Sequence, residues 1–165
     1  MMHGEAPATG TVALVRPDGT GTTVADDLQF PNGMAVTDDN STLIVAESYA
    51  SRLTAFDISA DGSLTNRRVW AAVAGSAPDG ICLDTTAALW FADVPNKRCV
   101  RVREGGEILD TFDADRGCFA CMLGGADGAT LFVMAADWRG PAAVNDARSG
   151  QVLTASAPAR RAGRP

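Results

Sequence analysis

The sequence predicts an all-β protein with the architecture of a β-propeller, and two observations carry this prediction. Short apolar strands separated by Gly-, Asp- and Asn-containing turns recur in groups of about four, with a period of about 40 to 47 residues. No long segment places apolar residues at the period of about 3.6 that marks a helix. Each group of four strands corresponds to one blade around a central channel. The 165 residues hold about three groups, so the sequence predicts part of a ring that needs at least about four blades.

The chain begins with a partial blade. Residues 1–9 are expected to form a ragged terminus, and a half blade follows over residues 10–26. Its two strands, Gly10–Val15 and Thr22–Ala25, flank a Pro-Asp-Gly turn at residues 17–19, which is typical of a β-hairpin.

Two full blades are predicted over residues 30–71 and 77–112. Turns rich in Asp, Asn, Ser and Gly separate their apolar strands. The predicted strands of the first blade are Gly33–Thr37, Leu43–Glu47, Arg52–Asp57 and Arg67–Ala71, and those of the second are Gly80–Asp84, Ala88–Asp93, Arg98–Val102 and Glu107–Phe112.

A partial blade over residues 118–154 completes the predicted fold. Its strands are Phe119–Leu123, Leu131–Ala135 and Gln151–Thr154. The last residues, 156–165, combine three arginines with proline and glycine, and this composition predicts a disordered tail.

A Pro-x-Gly motif opens both full blades. Pro31-Asn32-Gly33 recurs 47 positions later as Pro78-Asp79-Gly80, and an apolar strand follows each copy. Proline fixes its own φ and glycine permits a sharp turn, so such a loop is expected to aim the middle side chain in a set direction. Innermost propeller strands start beside the channel. The sequence therefore predicts that Asn32 and Asp79 point their oxygens towards the axis.

Composition and charge exclude several classes of function. The net charge of −6 and the absence of a basic stripe argue against a nucleic-acid partner. No apolar run approaches the ~20 residues of a membrane span, and the first residues lack the pattern of a signal peptide. A cytoplasmic location is the resulting expectation.

Histidine and cysteine chemistry is restricted. The one histidine, His3, lies in the ragged terminus, which argues against a folded Ser-His-Asp triad or a histidine metal site. Four cysteines, of which only Cys118 and Cys121 have C-x-x-C spacing, are interpreted as buried apolar residues, with zinc or redox chemistry as the alternative. Cys82 and Cys99 fall at apolar strand positions.

These motifs resemble a known family. Phe30-Pro31-Asn32-Gly33-Met34-Ala35 and Ala77-Pro78-Asp79-Gly80-Ile81-Cys82-Leu83-Asp84 resemble the signature loops of the senescence-marker-protein, gluconolactonase and regucalcin family. The segment Cys118-Phe119-Ala120-Cys121-Met122-Leu123-Gly124-Gly125, followed by Leu131-Phe132-Val133, is similar to the family's next blade.

The resemblance implies a six-bladed propeller that binds one divalent metal near its axis and hydrolyses sugar lactones and similar esters. Asn32 matches the family's metal-binding asparagine, and Asp79 matches its aspartate, which binds the metal and is catalytic. The family's metal-binding glutamate lies near the N-terminus of the full protein. Glu5 lacks the surrounding motif, so the role is not assigned to it, and activity of this chain alone becomes a question. No substrate-binding residue is assigned.

General chemistry supports these roles. A divalent cation polarises a lactone carbonyl and activates water, and a carboxylate beside it accepts the proton. The oxygen-only ligands Asn32 and Asp79 favour calcium, with zinc, magnesium or manganese as alternatives.

Other repeated residues are given structural roles. Glu47 and Asp93 match each other at the ends of the second strands, and the preferred interpretation is that they serve the fold. Trp90, Phe91, Leu131 and Phe132 are predicted to pack between blades. Trp138 falls in a loop, where packing and a place at the pocket mouth both remain open.

Two hypotheses of function remain. The first is metal-dependent lactone hydrolysis by an incomplete propeller with a small lactone as substrate, and the alternative is a non-catalytic propeller module that binds a protein partner or a metal. Open blade edges also predict self-association. The sequence names neither the lactone nor the physiological metal.

Overall fold

A hairpin and three antiparallel sheets make up the computed structural model, which describes residues 8–138, 140 and 148–164. Residues 1–7, which include His3 and Glu5, lie outside this description. The hairpin consists of β1 (Gly10–Val15) and β2 (Gly21–Leu28), and its turn contains Gly19 at a φ of 84°. This β1–β2 sheet packs on the first full blade.

Three blades follow, each built as a meander in which consecutive strands pair. The first contains β3 (Pro31–Val36), β4 (Thr42–Glu47), β5 (Arg52–Ile58) and β6 (Leu64–Ala72), with a 3₁₀ turn at Ser48–Ala50. The second contains β7 (Pro78–Asp84), β8 (Leu89–Asp93), β9 (Arg98–Val102) and β10 (Ile108–Asp113). The third contains β11 (Gly117–Gly124), β12 (Thr130–Ala136) and β13 (Gln151–Ser156). The predicted fold class, an all-β propeller of about three blades, is confirmed.

The hydrophobic core lies between blades. Side chains alternate along a strand, so the second blade, which lies between the other two, buries both of its faces. On β8, Leu89 and Phe91 pack in the layer against the first blade, while Trp90 and Ala92 pack in the layer against the third. This alternation explains why all five residues of β8 are buried and confirms Trp90 and Phe91 as packing residues.

All four cysteines are buried and free, and they pack in the layer between the second and third blades. Their prediction as buried apolar residues is confirmed. Their thiols still find weak acceptors: Cys121 Sγ donates to the carbonyl of Gly80 at 3.5 Å, and Cys118 Sγ donates to that of Arg116 at 3.8 Å.

The C-terminal residues differ from the disordered tail that the sequence predicts. Arg161–Ala162 form a strand, β14, that pairs antiparallel with β7 at Leu83 and Asp84. Arg164 then exchanges backbone hydrogen bonds with Val36 at the end of β3. Free edges of inner strands offer unpaired backbone groups, and the tail satisfies them. Composition alone could not reveal that these edges are available.

A membrane-spanning helix, long and apolar enough to cross a bilayer, does not occur in the described ranges of the chain.

The tail provides the first testable prediction. Gly163 has a φ of 63°, and a Cβ there would contact the Val36 carbonyl oxygen and Leu83. Gly19 shares a positive φ, but nothing lies within 4 Å of its Cβ position. We expect Gly163→Ala to lower the free energy of unfolding by roughly 2–4 kcal/mol, and Gly19→Ala by only about 1 kcal/mol, the cost of the left-handed backbone. Denaturant unfolding measures both, and equal losses would contradict the packing of the tail.

Self-association stays a prediction, and the third blade is where we expect it. Its face directed away from the second blade exposes Met122, Met134 and Val152, and contiguous exposed apolar surface favours association. We expect Val152→Ser to lower the apparent mass in light scattering at high concentration. Val15, equally exposed on β1, supplies the matched control Val15→Ser. A concentration-independent monomer mass for the unmodified chain would be the contrary result.

Candidate active site

The inner strands of the three blades share a β-bulge at one position. In each, the pairing register with the next strand shifts by one residue near the strand start. The shift falls between Pro31 and Met34 in β3, between Pro78 and Ile81 in β7, and between Cys118 and Ala120 in β11. This alignment makes Asn32, Asp79 and Phe119 structurally equivalent, because all three belong to the bulged segment. Bulges re-aim side chains and are common beside active sites.

The sequence predicts that the glycines of the two motifs permit sharp turns, and in the structure they serve a different purpose. Neither Gly33 nor Gly80 has a positive φ, and the motif lies within the strands rather than in a turn before them. A Cβ on Gly33 would lie 2.5 Å from the carbonyl oxygen of Asp79, and one on Gly80 would lie 2.7 Å from Cα of Ala120. Glycine is required here for close approach of neighbouring backbones. The Asn32 and Asp79 segments are therefore adjacent.

Asp79 is partly buried. Within the described residues no hydrogen bond or ion pair reaches its carboxylate. Burial raises the pKa of Asp79 from 3.8 to about 6. Perturbed carboxylates of this kind mark candidate functional sites.

Ser48 joins Asn32 to the segment that carries Asp79. The Asn32 side-chain Nδ2 donates to Ser48 Oγ at 3.4 Å, and Ser48 Oγ donates to the backbone carbonyl of Pro78 at 2.7 Å. Ser48 is buried. With Nδ2 engaged in this way, the Oδ1 oxygen of Asn32 stays available as an acceptor or metal ligand. Sequence analysis missed Ser48, although its place directly after Glu47 could have drawn attention to it.

Glu47 and Asp93 belong to the fold, as the sequence predicts. Both are fully buried at the ends of β4 and β8. Each pairs with the arginine opposite it in the next strand: Arg52 Nε lies 2.8 Å from Glu47, and Arg98 Nε lies 3.1 Å from Asp93.

Backbone contacts complete the roles of these acids. Glu47 accepts the backbone N–H of Gln29 at 2.7 Å, and Asp93 accepts that of Ala77 at 3.1 Å. Burial acts to raise the pKa of Glu47, but hydrogen bonds from Arg52, Gln29 and Thr54 outweigh it and hold the pKa below its ordinary value. These acids therefore fix the segments that lead into the bulges.

Two aromatic pairs lie near the bulged segments. Phe30 stacks on Tyr49 with ring centroids 4.5 Å apart, and Phe119 meets Trp138 edge to face at 5.8 Å. Trp138 lines a cavity of about 320 Å³ between loops of the second and third blades, together with Pro95 and Arg116. Neither Asn32 nor Asp79 lines this cavity, so a place for Trp138 at the mouth of the active-site pocket stays a prediction. Phe119 was not predicted as a site residue, and only alignment of the repeats on the bulge could have found it.

The donor set of the bulged segments offers oxygen ligands but few of them. In the described ranges, no group of three or more His, Cys, Asp or Glu side chains could hold a metal ion. Asn32 and Asp79 lie on adjacent backbone segments and both carry side-chain oxygens, the type of donor that a hard divalent cation prefers. They supply two of the roughly 6–8 ligands that calcium takes.

Comparison with known proteins identifies the family of this chain. The model of the SMP-30/Gluconolactonase/LRE-like region matches residues 1–137, and the chain belongs to this family. It is similar to regucalcin from Gallus gallus, with 29% identity over 133 residues that make up 77% of this chain and 44% of the relative. The chain thus spans less than half the length of that relative.

Solved structures show the same relationship. A gluconolactonase from Xanthomonas campestris matches with a TM-score of 0.66 and 30% identity, over 78% of this chain and 42% of the other. A structure from Agrobacterium tumefaciens, described as a calcium-binding protein, regucalcin, matches with a TM-score of 0.74 and 18% identity, over 93% and 54% of the two chains. The second likeness supports the fold alone.

The raised pKa of Asp79 gives a test in metal-free buffer. The pKa of Asp79 is higher in the folded chain than in the unfolded chain. The free energy of unfolding therefore falls as pH rises from about 4 through 6 and Asp79 ionises. The full shift corresponds to about 3 kcal/mol, and partial exposure reduces it to about 1–2 kcal/mol. We expect Asp79→Asn to raise the free energy of unfolding by that amount at pH 7.5.

The gain from Asp79→Asn should nearly vanish near pH 3.5, where the carboxyl is protonated in the folded state and mostly protonated in the unfolded state. Asp113→Asn removes an exposed acid on β10 and serves as the matched control. Denaturant unfolding at both pH values measures the difference. A gain at pH 7.5 that persisted unchanged at pH 3.5 would contradict the assignment to ionisation.

Proposed function

We propose that these blades carry part of the active site of a metal-dependent hydrolase of sugar lactones or related cyclic esters. The observation that carries the proposal is the unpartnered carboxylate of Asp79, next to the Asn32 segment at the same level of neighbouring inner strands. Membership of the gluconolactonase family supports this reaction class, and the similar protein from Xanthomonas campestris is described as a gluconolactonase.

Asp79 is proposed as the general base. A base works best when its pKa lies near the operating pH but still leaves it ionised. In the metal-free protein, burial raises the pKa of Asp79 to about 6, so the group is mostly ionised at pH 7 and holds a proton more readily than an ordinary carboxylate, whereas a cation bound to one oxygen would lower that pKa. The carboxylate has no protein donor within the described residues, so both oxygens are available. One is proposed to bind the metal while the other accepts a proton from the attacking water.

Asn32 is proposed as a neutral ligand. Its amide nitrogen donates to Ser48, which leaves Oδ1 to bind a cation without adding negative charge. A divalent cation held by Asn32 and Asp79 would polarise the lactone carbonyl and lower the pKa of bound water. Calcium is the proposed ion because the donors are oxygens, with magnesium, manganese and zinc as the alternatives to be compared.

The proposal is tested by hydrolysis of glucono-δ-lactone across a series of the four metals. Asp79→Asn keeps the size of the side chain but removes its charge and basicity, so we expect turnover to fall by about 10²–10⁴-fold even at saturating metal. Asn32→Ala should act mainly through metal affinity, so excess metal should partly restore its rate. Asp113→Asn, an exposed position on the outermost strand of the second blade, should leave the rate unchanged.

Two results would overturn this assignment. The first is an Asp79→Asn variant that keeps most of the turnover at saturating metal, since the base would then be another group. The second would come from calorimetric titration of the chain with calcium. Since the chain supplies only two proposed ligands, we expect this binding to be weak. Affinity that Asn32→Ala and Asp79→Asn leave unchanged would show that the ion binds elsewhere.

A further inference from the structure

Phe119 breaks the polar pattern of the bulged position. The first two inner strands place an amide and a carboxylate there, and the third places an aromatic ring. Its backbone is close to the candidate base, because the Phe119 carbonyl oxygen lies 3.1 Å from the Cβ position of Gly80, the residue after Asp79. The backbone of Phe119 therefore lies beside the segment that carries Asp79.

The Phe119 ring is held in place but is not sequestered. Trp138 meets it edge to face, with ring centroids 5.8 Å apart and planes at 73°, an arrangement that aromatic pairs favour. Trp138 is 48% exposed and Phe119 is only partly buried. A packing residue of this size is expected to be buried like Phe91. The pair instead presents aromatic surface at a cavity edge.

Cavities on both sides give this surface room for a ligand. Phe119 lines a groove of about 360 Å³ together with Met134, Ala135 and Val152. Trp138 lines the neighbouring cavity of about 320 Å³. Binding sites combine such apolar walls with a few polar groups; Asn32 and Asp79 line neither cavity, but they occupy the bulged position equivalent to Phe119 on the neighbouring inner strands.

We infer that Phe119, positioned by Trp138, forms the apolar wall of a substrate subsite beside Asp79 and favours lactones with a flat aromatic ring over polyhydroxylated sugar lactones. A hydroxyl placed against the ring loses its hydrogen bonds to water, whereas an aromatic ring gains contact area and favourable ring geometry. The inference rests on the proposed function, which names lactones as the ligands, and it adds that the aromatic ring is the part of the ligand that Phe119 recognises.

Binding of hydrolysis-resistant lactams tests the inference without requiring turnover. The probes are 3,4-dihydro-2-quinolinone, the lactam counterpart of an aromatic lactone, and glucono-δ-lactam. Fluorescence reports binding because Trp138 is exposed, while Trp70 and Trp90 are 5% and 3% exposed. We expect the unmodified chain to bind the quinolinone more tightly. Phe119→Ser should weaken that binding about tenfold and leave the sugar lactam unaffected.

Met122→Ser is the matched control, because Met122 lies on the same strand, is partly exposed and contributes to neither of these cavities. It should leave both affinities unchanged. Thermal unfolding of Phe119→Ser establishes that it is folded, and Phe119→Leu, which keeps an apolar side chain, should retain most of the binding. The inference fails if Phe119→Ser binds the quinolinone as the unmodified chain does, if both probes weaken equally, or if the unmodified chain prefers the sugar lactam or binds neither probe.

Binding and turnover separate the two proposals. If the chain hydrolyses no lactone but Phe119→Ser shows the selective loss of quinolinone binding, the subsite stands and the proposed function falls. If lactones are hydrolysed but Phe119 has no effect on binding, the proposed function stands and the subsite falls.

Discussion

Direct backbone contact between neighbouring inner strands is the constraint on which the site depends. Gly33 leaves room for β7, and Gly80 leaves room for β11, because a side chain at either position would collide with backbone atoms. The glycine lies on β3 in the contact with β7, and on β7 in the contact with β11. Since Gly80 already provides the space in the contact with β11, the β11 residue there can be Ala120. Close approach keeps Asn32 and Asp79 at one level although 47 residues separate them. A Cβ at either glycine would require a shift of whole blades.

Buried carboxylates hold these contacts in place. Glu47 and Asp93 occupy equivalent positions, where each binds an arginine of the next strand and a backbone amide that leads into the bulge. A buried charge is costly unless paired and hydrogen-bonded, and both acids meet that requirement. The third blade has Ala135 at this position and Phe119 at the bulge. A buried acid that binds an arginine and a backbone amide thus occurs in the two blades with a polar bulge residue. The blade with an aromatic bulge residue has alanine in its place.

Hydrogen bonding separates structural acids from the candidate functional one. Glu47 is saturated by donors, which lowers its pKa in spite of burial. Burial raises the pKa of Asp79, and none of the described residues donates a hydrogen bond that would offset this effect. The fold therefore stabilises the charge of one acid and leaves the other to react with a proton or a cation. An arrangement that is unfavourable in the empty protein is typical of sites that bind a ligand.

The sequence by itself determined the all-β class, the repeat of short strands, the packing role of Trp90 and Phe91, and the pairing of Asn32 with Asp79 as candidates. These features follow from local alternation and from repeated motifs, which are visible along the chain. Tertiary structure decided that Gly33 and Gly80 serve close approach, that the tail pairs with β7, and that Ser48 and Phe119 join the site. These features depend on which backbone edges and side chains meet across blades, and no local pattern encodes that meeting.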